Sequence, residues 1–95
     1  MELYEIKNGL DKAHLLIDEY RKSAQIDEKL REIEGLSYQT MQDGFWDDPT
    51  KAKKIYDELN DMKKITDEYE NLCQSLNSLD ETYTLVKETD DQEFQ

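Results

Sequence analysis

The chain contains only one cysteine, one proline and three glycines among its 95 residues. A single cysteine forms no disulfide within the chain, which favours a reducing, cytoplasmic location. So little glycine and proline disfavours a loop-rich or all-β fold. No apolar run approaches the ~18 residues that a membrane helix needs, and the acidic N-terminal segment is unlike a secretory signal. These absences predict a small helical protein without membrane contact.

Positive charge is also scarce, because 12 basic residues face 24 acidic ones and the net charge is −12. Nucleic acid repels such a chain unless its basic residues cluster. A weak cluster lies in residues 51–64, where five lysines stand against three acids, for a net charge of +2. Most of these lysines have an acidic residue four positions later, so a solvated helix face is the simplest interpretation.

Reactive residues are rarer still, since there is one histidine and no phosphate-binding glycine loop or zinc-type spacing. His14 is expected on a helix surface, and Cys73 is expected to be a small buried thiol with no neighbouring base. Asp47 and Asp48 are more simply a helix cap than a metal pair. We therefore predict no catalytic, cofactor or metal site in this chain, and no enzyme activity.

What the chain does contain is apolar residues three or four positions apart, the pattern of helices that pack along a seam. The pattern predicts three helices at about residues 2–21, 26–43 and 49–88. The seam of the third helix is expected to comprise Ala52, Ile55, Leu59, Met62, Ile65, Tyr69, Leu72, Leu76, Leu79, Tyr83 and Val86. One irregular step, from Met62 to Ile65, interrupts the alternation, and a capping-box pattern at Ser78 leaves open whether the helix continues past Asn77.

The expected fold is all-α: an antiparallel helical hairpin packed on one long C-terminal helix, coiled-coil-like throughout. Residues 1–89 form the predicted helical domain, and residues 90–95 form an acidic tail or linker. The first two helices, each ~30 Å long, cover only about half of the third. We therefore expect self-association through the part of the stripe left uncovered, namely Leu72, Leu76, Leu79 and Tyr83.

Between the second and third helices the sequence predicts a structural corner, made of Gly44, Phe45, Trp46, Asp48 and Pro49. Gly44 favours the left-handed conformation that closes a helix. Asp48 is suited to cap the next helix, and proline is tolerated in its first turn. The two aromatic rings, which include the only tryptophan, are expected to be buried and to fix how the helices meet.

Three segments together resemble a known family: the N-terminal stretch 1–6, the charged stretch 26–34, and Gly44-Phe45-Trp46-Asp47-Asp48-Pro49. They are similar to the N-terminal domain of the bacterial peptide chain release factor 2 family, across essentially the whole chain. The corner is the most specific element, since any coiled coil shares the composition of the helices.

The resemblance implies a class I factor that directs termination at the stop codons UAA and UGA. Its codon-reading Ser-Pro-Phe and hydrolytic Gly-Gly-Gln motifs are not present in residues 1–95. For this domain it implies docking on the ribosome near the stalk base and GTPase-associated region, with release factor 3 as a further partner. Lys51, Lys53 and Lys54 are the expected ribosome contacts. The alternative is a free-standing acidic coiled-coil adaptor or scaffold, which would explain the charge and periodicity equally well but not the sequence of the corner.

Overall fold

The computed structural model describes residues 2–93, with side chains to residue 91, and measures 70 × 22 × 16 Å. Three helices, α1 (Leu3–Ser23), α2 (Ile26–Thr40) and α3 (Pro49–Glu93), are joined by a short connector and a corner containing a 3₁₀ turn, Phe45–Asp47. The described residues contain no strand. The predicted all-α, three-helix class is confirmed.

Helix α3 sets the length of the molecule, because 45 residues at 1.5 Å each extend ~67 Å. It runs through Asn77 and Ser78 without interruption and beyond the expected end at residue 88. The hydroxyl of Thr82 donates to the Ser78 carbonyl at 3.0 Å, so polar side chains here bond back along the helix instead of ending it. The first four residues of the expected acidic tail are therefore helical, and the remaining two lie outside the described residues.

The connector between α1 and α2 consists of Ala24 and Gln25. Gln25 takes a left-handed conformation with φ of 54°, and its carbonyl accepts the first backbone hydrogen bond of α2, from Lys29 at 3.0 Å. A fork of two hydrogen bonds spans the break, because the Arg21 guanidinium donates to both carboxylate oxygens of Asp27 at 3.1 and 2.9 Å. The charged partner lowers the pKa of Asp27, chiefly through this hydrogen bonding.

Helices α1 and α2 lie one after the other along α3, and both run antiparallel to it. Near the middle of α3, the ring of Tyr69 lies 6.4 Å from that of Tyr20 on α1. Further along, His14 Nε2 lies 2.7 Å from Asp80 Oδ2. In the N-terminal half, α2 and α3 line the same surface hollows, with Leu36 beside Met62 and Gln39 beside Ile55. The antiparallel hairpin therefore has α3 as its second arm, and the molecule is about two helices thick.

This arrangement corrects the expectation that half of α3 lacks a cover. Helix α1 supplies the cover, because the left-handed break at Gln25 directs it along the C-terminal half of α3 instead of back beside α2. The core it completes is thin. The buried apolar side chains are Ile26, Ala52, Leu59 and Leu76.

The seam of α3 also differs from the predicted one after Met62. The half-buried and buried residues that continue it are Ile65, Thr66, Tyr69, Cys73, Leu76, Asp80 and Tyr83. Except for Ile65, these residues keep the alternation of three and four unbroken, and polar Thr66 and Asp80 occupy positions that we assigned to leucine or isoleucine. The hydroxyl of Thr66 is satisfied by the Lys63 carbonyl at 3.2 Å, and Asp80 is satisfied by His14.

A second apolar stripe lies beside this seam. It consists of Leu72, Leu79 and Val86, which are spaced seven apart and remain about half exposed (50, 57 and 48%). Leu76 is buried at 5% exposure and Tyr83 is half-buried under α1. Contrary to expectation, these two residues are therefore not available for self-association. Of the predicted contact residues, Leu72 and Leu79 remain accessible.

Candidate functional site

The corner reverses the chain between α2 and α3 through a series of local hydrogen bonds. Gly44 has φ of 82°, the left-handed region in which glycine is favoured. A Cβ at this position would lie 3.1 Å from Asp47 Oδ2, so a larger residue would meet crowding as well as backbone strain. The Gly44 carbonyl accepts from the Asp47 amide at 3.1 Å and closes the 3₁₀ turn.

Asp48 caps α3 with both its side chain and its backbone. Its Oδ1 accepts from the Lys51 amide at 3.1 Å, and its carbonyl accepts from the Ala52 amide at 2.9 Å. Pro49 is the first residue of the helix, where an amide proton is not needed. The start of α3 is thus fixed within three residues of the aromatic pair.

The two corner aromatics face different surroundings. Phe45 is half-buried and lines a hollow with Gln39 of α2 and Ile55 of α3. Trp46 does not line this hollow and is 62% exposed. The prediction of a buried pair is therefore wrong for Trp46, because Phe45 and not Trp46 lies in the hollow between the two helices.

Trp46 is nevertheless held in a defined position by its neighbours. Phe45 meets it edge-on, with ring centres 5.0 Å apart and planes at 88°. Tyr56 of α3 lies on its other side at 6.0 Å, with planes inclined by 45°. Perpendicular and tilted pairs at these distances are favourable ring geometries. The result is an exposed indole that is already oriented.

The lysines that were predicted to contact a partner follow directly on the corner. Lys51, Lys53 and Lys54 are all exposed, in the first two turns of α3. Lys53 Nζ lies 3.1 Å from Asp57 Oδ2, as its spacing suggests, but both side chains are largely in solvent. In the part of the chain that the structure describes, Lys54 forms no ion pair. Lys54 can therefore approach a large anionic partner directly, and Lys53 can do so by giving up an exposed ion pair of little energy.

His14 has a role that the sequence did not reveal. It was expected on the surface, and its side chain is half exposed, yet it reaches from α1 to the seam residue Asp80. Only the register of α1 on α3 brings the two residues together, since 66 positions separate them in the chain. Cys73 is half-buried in the same seam.

The described residues contain no group of three potential metal ligands. None of the described helices combines the length and the apolar character that crossing a membrane requires. The exposed surface offers instead a lysine-bearing corner with an oriented indole, and a long acidic rod behind it.

Comparison with known proteins places this rod in a family. The PCRF domain family matches residues 7–95 of the chain. A peptide chain release factor 2 from Exiguobacterium sp. is 34% identical over 95 residues, which are 100% of this chain and 26% of that protein. The protein of the same name from Staphylococcus aureus strain RF122 is 33% identical over 99% of this chain and 26% of its own length.

A third relative, peptide chain release factor 2 from Lactiplantibacillus plantarum, is 30% identical over 100% of this chain and 25% of its own length. The chain thus spans about a quarter of the length of these curated relatives. No solved structure is significantly similar to it. The family match covers nearly every residue of the helical rod and its corner, and the chain therefore belongs to the PCRF domain family.

Proposed function

We propose that this chain is the N-terminal docking domain of a class I release factor that acts at the stop codons UAA and UGA in the cytoplasm. The single observation that carries the proposal is the match, over the whole chain, to proteins named peptide chain release factor 2. Stop-codon reading and ester hydrolysis belong, in this proposal, to domains outside residues 1–95. This domain contributes binding and positioning.

The shape and charge of the rod support a docking role. A rod 70 Å long holds its two ends at a fixed separation, because α3 passes through the whole molecule without a break. Its surface is mainly acidic, which suits basic ribosomal proteins, and the lysines of the corner suit phosphate groups of ribosomal RNA. We propose that the corner end meets the stalk base and GTPase-associated region of the ribosome. Release factor 3 is the further partner we propose.

The experiment that tests this docking is charge reversal in the full-length factor. With Lys53→Glu and Lys54→Glu together, peptide release at subsaturating factor should slow by about threefold to tenfold at low salt, since each exposed contact contributes up to ~1 kcal/mol. The difference in release rate between the variant and wild type should become smaller as salt rises, because salt screens the attraction between the wild-type lysines and the ribosome. Equal release rates at low salt would remove these lysines from the interface.

A matched control is available on the other half of the rod. Lys12→Glu with Lys87→Glu makes the same change in net charge at two exposed positions far from the corner. This control should leave the release rate close to wild type. If both double variants slow release equally, net charge and not the corner is responsible.

The exposed stripe of Leu72, Leu79 and Val86 favours a second candidate, an acidic adaptor that self-associates. Under this proposal the chain dimerises weakly in sedimentation equilibrium, and Leu72→Gln with Leu79→Gln restores the monomer. Leu30→Gln with Met41→Gln changes two exposed apolar side chains, one on α2 and one directly after it, and serves as the control. A wild-type chain that stays monomeric at millimolar concentration would exclude self-association.

A further inference from the structure

The corner presents an unusual surface for so acidic a chain: an exposed, oriented indole with an exposed tyrosine beside it. Trp46 is 62% exposed and Tyr56 is 44% exposed, with ring centres 6.0 Å apart. A tryptophan that completes a core is covered, and this one is not. Phe45 fixes its orientation from below at 5.0 Å, so the indole loses little freedom when a flat partner binds.

The charges around this pair are distributed unevenly. Asp43, Asp47 and Asp48 line the hollow on the side of Phe45, and Trp46 has no part in that hollow. On the side of Tyr56, residues three or four positions apart on α3 form a surface row, Lys53, Tyr56, Asn60 and Lys63. Asp57 flanks this row through its ion pair with Lys53. The exposed aromatic pair therefore adjoins a row of α3 that carries two lysines, one of them paired with the flanking Asp57.

We propose that Trp46 and Tyr56 form a stacking platform for an unpaired RNA base, with the neighbouring phosphates against Lys53 and Lys63. Aromatic rings that accept bases, next to lysines that follow the backbone, are the recurring means of binding single-stranded nucleic acid. Lys53 is paired with Asp57, but an exposed pair of this kind contributes little and yields to a phosphate. Among the described residues Lys63 forms no ion pair.

This inference rests on the proposed docking and identifies its partner as unpaired RNA at the corner end of the rod. The main competitor is a basic protein whose arginine stacks on the indole by a cation–π contact. The position of the acids argues against it. An arginine on Trp46 would lie near Lys53 and outside the hollow that the three aspartates line.

The test uses Trp46 as its own reporter, since it is the only tryptophan of the chain. The chain is titrated at about 50 mM salt with a single-stranded RNA of about 10 nucleotides, with the corresponding duplex, and with an arginine-rich peptide. Stacking predicts quenching of indole fluorescence by the single strand and little effect of the duplex. Quenching by the peptide alone assigns the corner to a basic protein, and an unchanged spectrum with all three overturns the proposal.

Variants separate stacking from charge and from folding. Trp46→Leu should weaken binding of a labelled single strand by about tenfold, whereas Trp46→Phe, which keeps a ring, should restore most of it. Tyr56→Leu, read through Trp46, should weaken binding by about threefold to tenfold, and Tyr38→Leu is the matched control at an exposed tyrosine away from the pair. Equal affinity of Trp46→Leu and wild type, with unchanged helical circular dichroism, contradicts the platform.

A parallel measurement distinguishes this inference from the docking on which it rests. The wild-type chain and Trp46→Leu are each sedimented with ribosomes. Binding of wild type and its loss in the variant support the stacking site. Equal binding of the two leaves docking intact and removes stacking, whereas absence of wild-type binding counts against docking itself.

Discussion

A pair of leucines four positions apart on α3 tests which residues form the seam. Leu76 is 5% exposed and lies under α1, while Leu72 is 50% exposed on the neighbouring stripe. We expect Leu76→Ala to lower the free energy of unfolding by about 2–3 kcal/mol, the lower part of the range for buried leucine, because a core two helices thick collapses easily around a cavity. Leu72→Ala should cost about 1 kcal/mol or less, since half of its side chain stays in water.

The measurement is urea unfolding followed by helical circular dichroism, with the fluorescence of Trp46 as a second probe. Both substitutions exchange leucine for alanine within the same helix, so their helix propensities cancel in the comparison. In a domain of this size 2–3 kcal/mol corresponds to a fall in Tm of roughly 10–20 °C. Equal losses, or a larger loss at Leu72, would refute the observed seam and favour the one read from the sequence.

Two further predictions concern local hydrogen bonds. Asp48→Ala should cost about 1 kcal/mol of unfolding free energy through loss of the α3 cap, while Asp47→Ala, whose side chain makes no cap bond, should cost less in the same urea assay. Because Arg21 lowers the pKa of Asp27, the pair stabilises the fold fully above the ordinary aspartate pKa of 3.8, and that contribution disappears as pH falls through the lower folded-state value. An NMR titration should find the Asp27 carboxyl below 3.8 in wild type and closer to it in Arg21→Gln; identical titrations would contradict the assignment.

The parts of this fold that depend only on residues close together in the sequence could be predicted from it. Gly44 has the left-handed φ that its position suggests, and Asp48 bonds the amide three residues later, because both effects are completed within one turn of chain. The existence of three helices follows in the same way from apolar spacing. The break between α1 and α2 could be predicted as well, but its left-handed conformation at Gln25 could not, since glutamine rarely adopts a positive φ.

What the sequence could not settle is which of two overlapping stripes on α3 forms the seam. Leu72, Leu79 and Val86 imitate a seam by composition, and only the presence of α1 shows that the buried line runs through Thr66 and Asp80 instead. A polar residue is stable there because another helix supplies its partner, as His14 does for Asp80. The exposed position of Trp46 escaped prediction for a similar reason, since only the packed helices show that Phe45 lines the hollow between them and Trp46 does not.

The left-handed residue at the connector has a consequence for how far two helices can remain in phase. A straight helix drifts by about 20° per heptad relative to a seven-residue repeat, so an uninterrupted partner for all of α3 would turn its apolar face well away unless both helices coiled strongly. Gln25 divides that partner into helices of 21 and 15 residues. The rotation of each helix about its own axis is set independently of the other. The two helices can therefore each align with α3 while accumulating less than half of the total drift.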